Sequence, residues 1–303
     1  MNERNAGAAL APLSLGAAQL RQLVDIPCER FGLHDIFPDA APEDLAAVAR
    51  RIGERHVDLE QGALCLSFYS TVARIAGKTV VIDTCCGNDK ERPARPGWHR
   101  RQGDYLEQLA AQGVRPEDVD LVMCTHLHAD HVGWNTRLEN GRWVPTFPNA
   151  RYVFAKREYD YWLDEHRAAG PEGNILYGSF RDSVLPVIDS GQAELVADGH
   201  SPLAGVHLEI APGHTPGAAL IHLESEGARA VVCGDLLHHP LQLLRPEVST
   251  RFCVDPEGAR RTRQRVLAEL AGTETWVVPG HFLPPSIGRI ERDGDAYAFL
   301  AAQ

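Results

Sequence analysis

The sequence predicts an α/β protein, and three observations carry that prediction. Short apolar runs bounded by turn residues, typical of buried strands, alternate with amphipathic stretches of helical period along the 303 residues. Hydrophobic residues make up 44% and charged residues 23%, which are ordinary values for a globular protein with a large core. The sequence has no internal repeat and no low-complexity linker. A chain of this length allows two domains, or one large α/β domain with extensions.

The first strands are predicted from continuous apolar runs. Residues 64–70 and 79–83 form two such runs, with a turn signal at Gly77 between them, and residues 120–125 form a third. Short segments of five to seven residues that are mainly apolar and lack regular polar alternation are typical of buried strands. We therefore expect these segments to form buried strands.

The first helix is predicted over 104–112, where the apolar residues recur at helical spacing and Gly113 ends the pattern. The segments 42–52 and 170–190 are expected to be insertions or coverings on one domain. The remaining predicted elements are strands over 151–155, 206–210, 220–223, 230–233 and 275–278, and helices over 156–165 and 256–270.

Charge and cysteine usage restrict the partners and the compartment. Thirty Lys and Arg residues against 41 Asp and Glu residues give a net charge of −11, which disfavours binding to nucleic acid or to anionic membranes. The seven cysteines are odd in number and show no CxxC spacing, so neither a disulfide framework nor a cysteine zinc site is expected. The first twenty residues lack the apolar core of a signal peptide, and no apolar run is long enough to span a membrane. A reducing cytoplasm is the expected compartment.

The densest group of candidate ligands is the segment THLHADH, which directly follows the predicted strand ending near Cys124. A strand end followed by a tight turn can direct alternate side chains toward one point. His126 and His128 can then reach one cation, while Asp130 and His131 reach a second. Imidazole and carboxylate suit Zn²⁺, and Mn, Fe or Co as well. The alternative, a solvated histidine-rich loop, is disfavoured by the buried strand that precedes it.

This segment resembles the HxHxDH signature of the metallo-β-lactamase superfamily, and further segments extend the resemblance over roughly residues 60–285. They are VVIDTCCG with Asp83, APGHTPGA with His214, VVCGDLL with Asp235 and VVPGHF with His281, in that order. The resemblance implies a four-layer αββα sandwich. It also implies a hydrolase domain over 56–303, preceded by an N-terminal extension over 1–55 that packs on the core.

The resemblance implies two divalent metal ions, Zn²⁺ first and Mn, Fe or Co as alternatives. His126, His128 and His214 would bind one ion, and Asp130, His131 and His281 the other, with Asp235 bridging both. Two dications outweigh the two carboxylates, so the site can bind hydroxide and an anionic transition state. Asp130 can orient the attacking water or take its proton. The candidate catalytic residues are therefore Asp130 and the bridging residue Asp235. Asp83 is expected behind the ligands, where it would hold one of them or the loop.

Several neighbouring residues have two interpretations each. Trp134 is either a hydrophobic wall for the substrate or part of the packing behind the motif, and the same alternatives apply to Phe282. One of His238 and His239 faces the cleft, or both are capping or solvated residues. The arginine-rich run 257–265 is interpreted as the solvated face of a helix.

The resemblance also narrows the chemistry. An aspartate at the bridging position, here Asp235, resembles lactonases, glyoxalase II-type thioesterases and organophosphate hydrolases more than true β-lactamases. We therefore expect a metal-dependent hydrolase of a small ester or lactone that uses a hydroxide bridging two metal ions. A thioesterase or a phosphotriesterase with the same centre stays open. An iron-dependent oxidoreductase of this fold is disfavoured, because such enzymes commonly carry Glu where this sequence has His128. The expected partner is a small-molecule substrate, with no nucleic acid and no membrane, and a homodimer is left open.

Overall fold

The computed structural model describes residues 11–171 and 173–302. The absence of a signal peptide and the start of the N-terminal extension were predicted partly on residues 1–10, which lie outside the described residues. The predicted alternation of strands and helices is confirmed, and the boundaries of the strands over 151–155 and 206–210 and of the helix over 256–270 agree with the prediction.

The strands of the described chain form two large sheets and one hairpin. In chain order they are β1 (Leu13–Leu15), β2 (Ala18–Gly32), β3 (Val57–Asp58), β4 (Ala63–Ile75), β5 (Lys78–Ile82), β6 (Leu121–Met123), β7 (Thr136–Glu139), β8 (Arg142–Pro145), β9 (Arg151–Ala155), β10 (Ala193–Val196), β11 (Val206–Ile210), β12 (Ala219–Ser225), β13 (Ala228–Gly234), β14 (Trp276–Pro279), β15 (Gly288–Asp293) and β16 (Ala296–Ala301). The first sheet has the order β1-β2-β4-β5-β6-β9-β10, with β3 beside β4, and the second runs from β11 to β16. The hairpin pairs β7 with β8.

The helices lie mainly between strands. The α-helices are α1 (Leu33–Ile36), α2 (Pro42–Arg51), α3 (Tyr105–Ala111), α4 (Ala129–Val132), α5 (Lys156–Ala169), α6 (Leu185–Asp189), α7 (Leu241–Leu244) and α8 (Pro256–Leu270). Short 3₁₀ turns cover Glu54–His56, Pro116–Asp118, Gly133–Asn135 and Ile175–Gly178, and a π turn covers Phe180–Val184. In the described part of the chain, no helix combines the length and the apolar character needed to cross a membrane.

Side-chain alternation along the strands produces the four layers. On β5, Val80 and Ile82 pack against the second sheet, whereas Val81 points to the opposite face, where α3 and α5 contribute to the core. On the second sheet, Val232 joins the core between the sheets, and Val231 packs with residues of α8. The order helix, sheet, sheet, helix is the αββα sandwich that the resemblance implied.

The N-terminal segment contributes a strand to the first sheet. Strand β2 pairs with β4 from Gln19 opposite Arg74 to Gly32 opposite Ala63, with two irregularities in register. Helix α2, which belongs to the same N-terminal segment, packs into the core through buried Leu45 and Val48. Part of the predicted extension is therefore integral to the sheet, and a division of the chain at residue 55 stays a proposal.

The prediction of a solvated face on α8 is wrong for Arg263. Arg260 and Arg265 do pair with glutamates at the surface, but the Arg263 side chain is only 1% exposed. Its guanidinium donates to the carbonyl oxygens of Pro246 and Val248, both at 2.8 Å. Because carbonyl groups of the preceding loop have no strand partner there, a buried arginine supplies their hydrogen bonds.

Candidate metal centre

The predicted ligands all follow the carboxyl ends of strands. The segment THLHADH begins two residues after β6 and leads into α4, whose four residues include Asp130 and His131. His214 lies in the loop after β11, Asp235 directly follows β13, and His281 follows β14, the parallel neighbour of β13. Because these strand ends meet at one edge of the two sheets, the loops bring the side chains together.

The ligands form two groups that a metal ion could occupy. One group contains His126, His128, His214 and Asp235, and the other contains Asp130, His131 and His281, with the ligand atoms of each group within 4.8 Å of one another. In the first group His214 Nε2 lies 2.9 Å from His128 Nδ1 and 3.2 Å from His126 Nε2. In the second group Asp130 Oδ2 lies 3.5 Å from His281 Nε2 and 3.8 Å from His131 Nε2.

Asp235 lies between the two groups, with one carboxylate oxygen toward each. Its Oδ2 is 3.2 Å from His214 Nε2 and 3.6 Å from His126 Nε2. Its Oδ1 is 3.1 Å from His131 Nε2 and 2.9 Å from His281 Nε2. A carboxylate in this position can bind one cation through each oxygen.

The donor atoms fit cations better than they fit one another. His131 Nε2 and Asp235 Oδ1 are buried, and despite their proximity neither forms a hydrogen bond of good geometry within the described residues. Buried polar atoms without a partner are costly, and lone pairs that converge from imidazole and carboxylate are the donor set of zinc and related ions. The donor set of the cluster therefore fits divalent metal ions.

The outward-facing nitrogens of the rings are fixed by the surrounding backbone and side chains. His131 Nδ1 is 2.9 Å from Asp83 Oδ2, and His281 Nδ1 is 3.0 Å from the carbonyl oxygen of Ser67. Asp83 also accepts from the backbone N–H and the hydroxyl of Thr125, both at 2.8 Å. With a metal ion bound, such contacts would keep the proton on Nδ1 and direct the Nε2 lone pair toward the ion. Asp83 lies where the sequence placed it, behind the ligands.

Burial and neighbouring charge set the protonation of the cluster. Burial lowers the pKa of His126 and His128 well below the usual range, so both rings are neutral and can donate a lone pair. Burial alone would raise the pKa of Asp235, but the surrounding imidazoles, His238 and His131 first, hold it well below its usual value. The carboxylate between the two groups therefore stays ionised.

Asp83→Asn is expected to weaken zinc binding by about 10–100-fold, because an amide no longer fixes the charge and tautomer of His131. The measurement is a zinc titration in competition with a chromophoric chelator. Asp120→Asn is the matched control, since Asp120 makes the same kind of hydrogen bond to a backbone N–H, that of Thr79, away from the cluster. Equal zinc affinity in Asp83→Asn and the wild type would contradict the role assigned to Asp83.

The histidines after Asp235 have different surroundings. His238 lines the cavity beside the cluster, and its Nε2 lies 3.0 Å from Asp235 Oδ2. His239 points away, with Nε2 2.9 Å from the carbonyl oxygen of His56 and Nδ1 accepting from the backbone N–H of Leu241. Of the two, only His238 can contact a substrate.

The structure corrects the substrate-wall alternatives for Trp134 and Phe282. Trp134 is stacked on Tyr105, with ring centres 5.1 Å apart, in the core behind the first sheet. Phe282 packs edge-on against Phe299 in the core beneath α8. In both cases a large apolar ring next to a ligand is stabilised more by burial in the core than by exposure to a cleft.

A cavity of about 310 Å³ lies over the cluster. His128, Asp130, Asp235, His238 and His281 form its polar side. Its other lining residues, all but Ala129 outside the segments that carry the predicted ligands, are Phe31, Ile36, Leu66, Phe68, Arg95, Trp98, Ala129, Asn174, Leu176, Tyr177 and Phe252. The volume is at the lower end of the range for small-molecule sites.

Glu158 is a further residue that the sequence reasoning missed. Its carboxylate, on α5, accepts from the backbone N–H of Leu127 at 3.1 Å and from that of Gly217 at 2.9 Å. The Trp162 indole donates to it at 2.7 Å. Burial raises the pKa of Glu158, although these donors oppose the shift. One buried side chain therefore connects the loop with His126 and His128 to the loop with His214.

Comparison with known proteins agrees with this architecture. The family model described as the Metallo-beta-lactamase superfamily matches residues 67–281. Metallo-beta-lactamase domain-containing protein 1 of Mus musculus is 31% identical over 188 residues, which are 62% of this chain and 56% of the relative. The N-acyl homoserine lactonase AttM of Azorhizobium caulinodans is 32% identical over 135 residues, which are 42% of this chain and 45% of the relative. The chain spans about half the length of these curated relatives.

Solved structures share the fold over nearly the whole chain. A hydrolase of the β-lactamase superfamily, AbOPH, superposes with a TM-score of 0.80 at 24% identity, covering 98% of both chains. AidC, a dizinc quorum-quenching lactonase, gives 0.78 at 18% identity and 97% coverage of both chains. At these identities the likeness shows the fold. Together with the family match over residues 67–281 it leads to one conclusion: the chain belongs to the metallo-β-lactamase superfamily.

Proposed function

We propose that the chain is a metal-dependent hydrolase that opens a small lactone or cleaves a small carboxylic ester. The observation that carries the proposal is the position of Asp235, whose two oxygens face separate imidazole groups below a largely apolar cavity. Proteins named N-acyl homoserine lactonases among the relatives support a lactone as the substrate class.

In this proposal His126, His128 and His214 would hold one divalent ion and Asp130, His131 and His281 the other, with Asp235 available to both. Zn²⁺ is the first choice for this donor set. The bound ions would supply Lewis acidity for the carbonyl oxygen and an acidified water as the nucleophile.

The residues of the chain supply proton transfer and positioning. Asp130 is half-buried and borders the cavity, so its carboxylate can take a proton from the attacking water and return it to the leaving alkoxide. His238 also borders the cavity and can donate a hydrogen bond to a substrate oxygen. The apolar walls, among them Phe68 and Phe252, exclude water and strengthen these electrostatic contacts.

Metal removal followed by a substrate panel tests the proposal. We expect the protein treated with a chelator to lose hydrolysis and to regain it with zinc, and lactones and aryl esters to be turned over fastest. The panel includes acyl-homoserine lactones, aryl esters, a thioester and a phosphotriester, with metal analysis of the same sample. Full activity in metal-free protein would contradict the mechanism. Preference for the thioester or the phosphotriester would assign the same centre to that substrate, and oxygen consumption with bound iron would indicate an oxidoreductase.

A further inference from the structure

A cation lies in the apolar wall of the cavity. Arg95 borders the same space as Asp130 and Asp235. Its guanidinium carbon lies 5.1 Å from the ring centre of Tyr177 and 5.3 Å from that of Trp98. The rings of Phe252 and Phe31 follow at 5.4 and 5.7 Å. Four aromatic rings therefore surround the guanidinium.

Most hydrogen-bond donors of this guanidinium are unused. A guanidinium has five N–H donors, and within the described residues the only side-chain hydrogen bond of Arg95 is from Nη2 to the Tyr177 hydroxyl, at 3.1 Å. No carboxylate oxygen of residues 11–171 or 173–302 lies within 4.0 Å of its nitrogens. The nearby Glu29 carboxylate instead accepts from the Trp98 indole at 2.7 Å.

Arg92, three residues earlier in the same loop, has a structural role, and its burial and hydrogen bonds differ from those of Arg95. It is 1% exposed and forms two hydrogen bonds with Asp182, at 2.6 and 2.8 Å. Arg95 is half-buried instead, aromatic rings surround its planar group, and the residue lines the cavity. The planar guanidinium can donate two parallel N–H bonds to the two oxygens of a carboxylate. The attraction between the two charged groups is stronger where apolar walls exclude water.

We infer that Arg95 binds a carboxylate that the substrate carries away from the bond that is hydrolysed. The inference rests on the proposed function and narrows its substrate class to esters or lactones with a second, anionic end. The metal-binding residues would then act at the scissile carbonyl, and Arg95 would position the far end of the molecule. Arg95 is thus a specificity-determining residue.

Two aryl esters of equal length test the inference: the 4-nitrophenyl monoester of glutaric acid, which is anionic, and 4-nitrophenyl valerate, which is neutral. kcat and KM are measured with the zinc-loaded full chain. We expect the wild type to prefer the anionic ester, and Arg95→Met to raise its KM by about 10–100-fold, the size of a charge-assisted contact. The kcat values and the KM of the neutral ester should stay within about twofold, and Arg95→Lys should restore part of the preference.

Arg100→Met is the matched control, because Arg100 lies in the same loop but is exposed and pairs with Glu91. Calorimetric binding of glutarate and of valerate to the wild type and to Arg95→Met gives a readout that is independent of turnover. If neither ester is hydrolysed but glutarate binds tighter through Arg95, the proposed function fails and the role of Arg95 stands. Equal KM for both esters in the wild type, or equal losses for both in Arg95→Met, would show that Arg95 only packs the rings together and would overturn the inference.

Discussion

Asp235→Asn is expected to lower kcat/KM of the zinc-loaded protein by about 10³-fold or more, since Lewis-acid stabilisation is worth several kcal/mol and each 1.4 kcal/mol is about tenfold. Asp235 Oδ2 lies 3.2 Å from His214 Nε2 and its Oδ1 lies 2.9 Å from His281 Nε2, so in the proposed centre one side chain would serve both metal positions. An amide removes the negative charge and turns an NH₂ group toward one of them. The variant should therefore bind zinc at one position more weakly than at the other.

The measurement combines kcat/KM with zinc content per chain after dialysis at a fixed free zinc concentration. Asp293→Asn is the matched control, because Asp293 is exposed and its ion-pair partner is Arg51, which is not a residue of the cluster. We expect the control to keep wild-type activity and zinc content. A variant Asp235→Asn that keeps two zinc ions and more than one-tenth of the activity would contradict the bridging role.

Much of the fold and of the candidate site is predictable from the sequence, because the ligands follow strands that have strong apolar patterns. The strand before His126 is buried on both faces, and so is the strand before Asp235. Continuous apolar runs mark such strands clearly, and a polar residue directly after them has to lie at the edge of a sheet. The convergence of His126, Asp235 and His281 at one edge follows from this placement.

The walls of the cavity are not predictable in the same way. Phe31 lies near the end of β2, a strand whose second half contains Pro27 and shows no regular alternation of apolar and polar residues. Tyr177 lies in a 3₁₀ turn within the segment 170–190, where its left-handed backbone (φ 55°) gives no periodic signal. Which side chains from such segments meet over the ligands depends on tertiary packing that local patterns do not encode.

Buried charged side chains are a second class of feature that sequence patterns predict wrongly, because they assign such side chains to the surface. Glu158 and Arg263 both lie in helices with many charged residues, and that composition indicates solvent exposure for all of them. The structure buries both because each satisfies backbone groups of loops that have no strand partner. For Glu158 these loops carry predicted ligands, so a change at this residue can affect the site as well as the fold.

Glu158→Gln is expected to lower the free energy of unfolding by about 2–4 kcal/mol, because each buried donor left without an acceptor costs 1–3 kcal/mol. Oε1 of Glu158 accepts from Leu127 and Trp162, and Oε2 accepts from Gly217. A glutamine has only one oxygen, so whichever way the amide turns, its NH₂ group faces at least one of these N–H groups. Chemical denaturation of metal-free protein measures the loss, and Glu165→Gln, an exposed position on the same helix, is the control.

The same variant separates a role in holding the two loops from a role in stability alone. Zinc stabilises the folded state by mass action, so the gain in stability at a fixed free zinc concentration reports the affinity of the folded site. If Glu158 positions Leu127 and Gly217, the gain should be smaller in Glu158→Gln than in the wild type, because the loops that carry His126, His128 and His214 are less well ordered before binding. An equal gain in both proteins, beside a lower stability of the metal-free variant, would mean that the loops keep their geometry without the carboxylate and that Glu158 contributes to the core only.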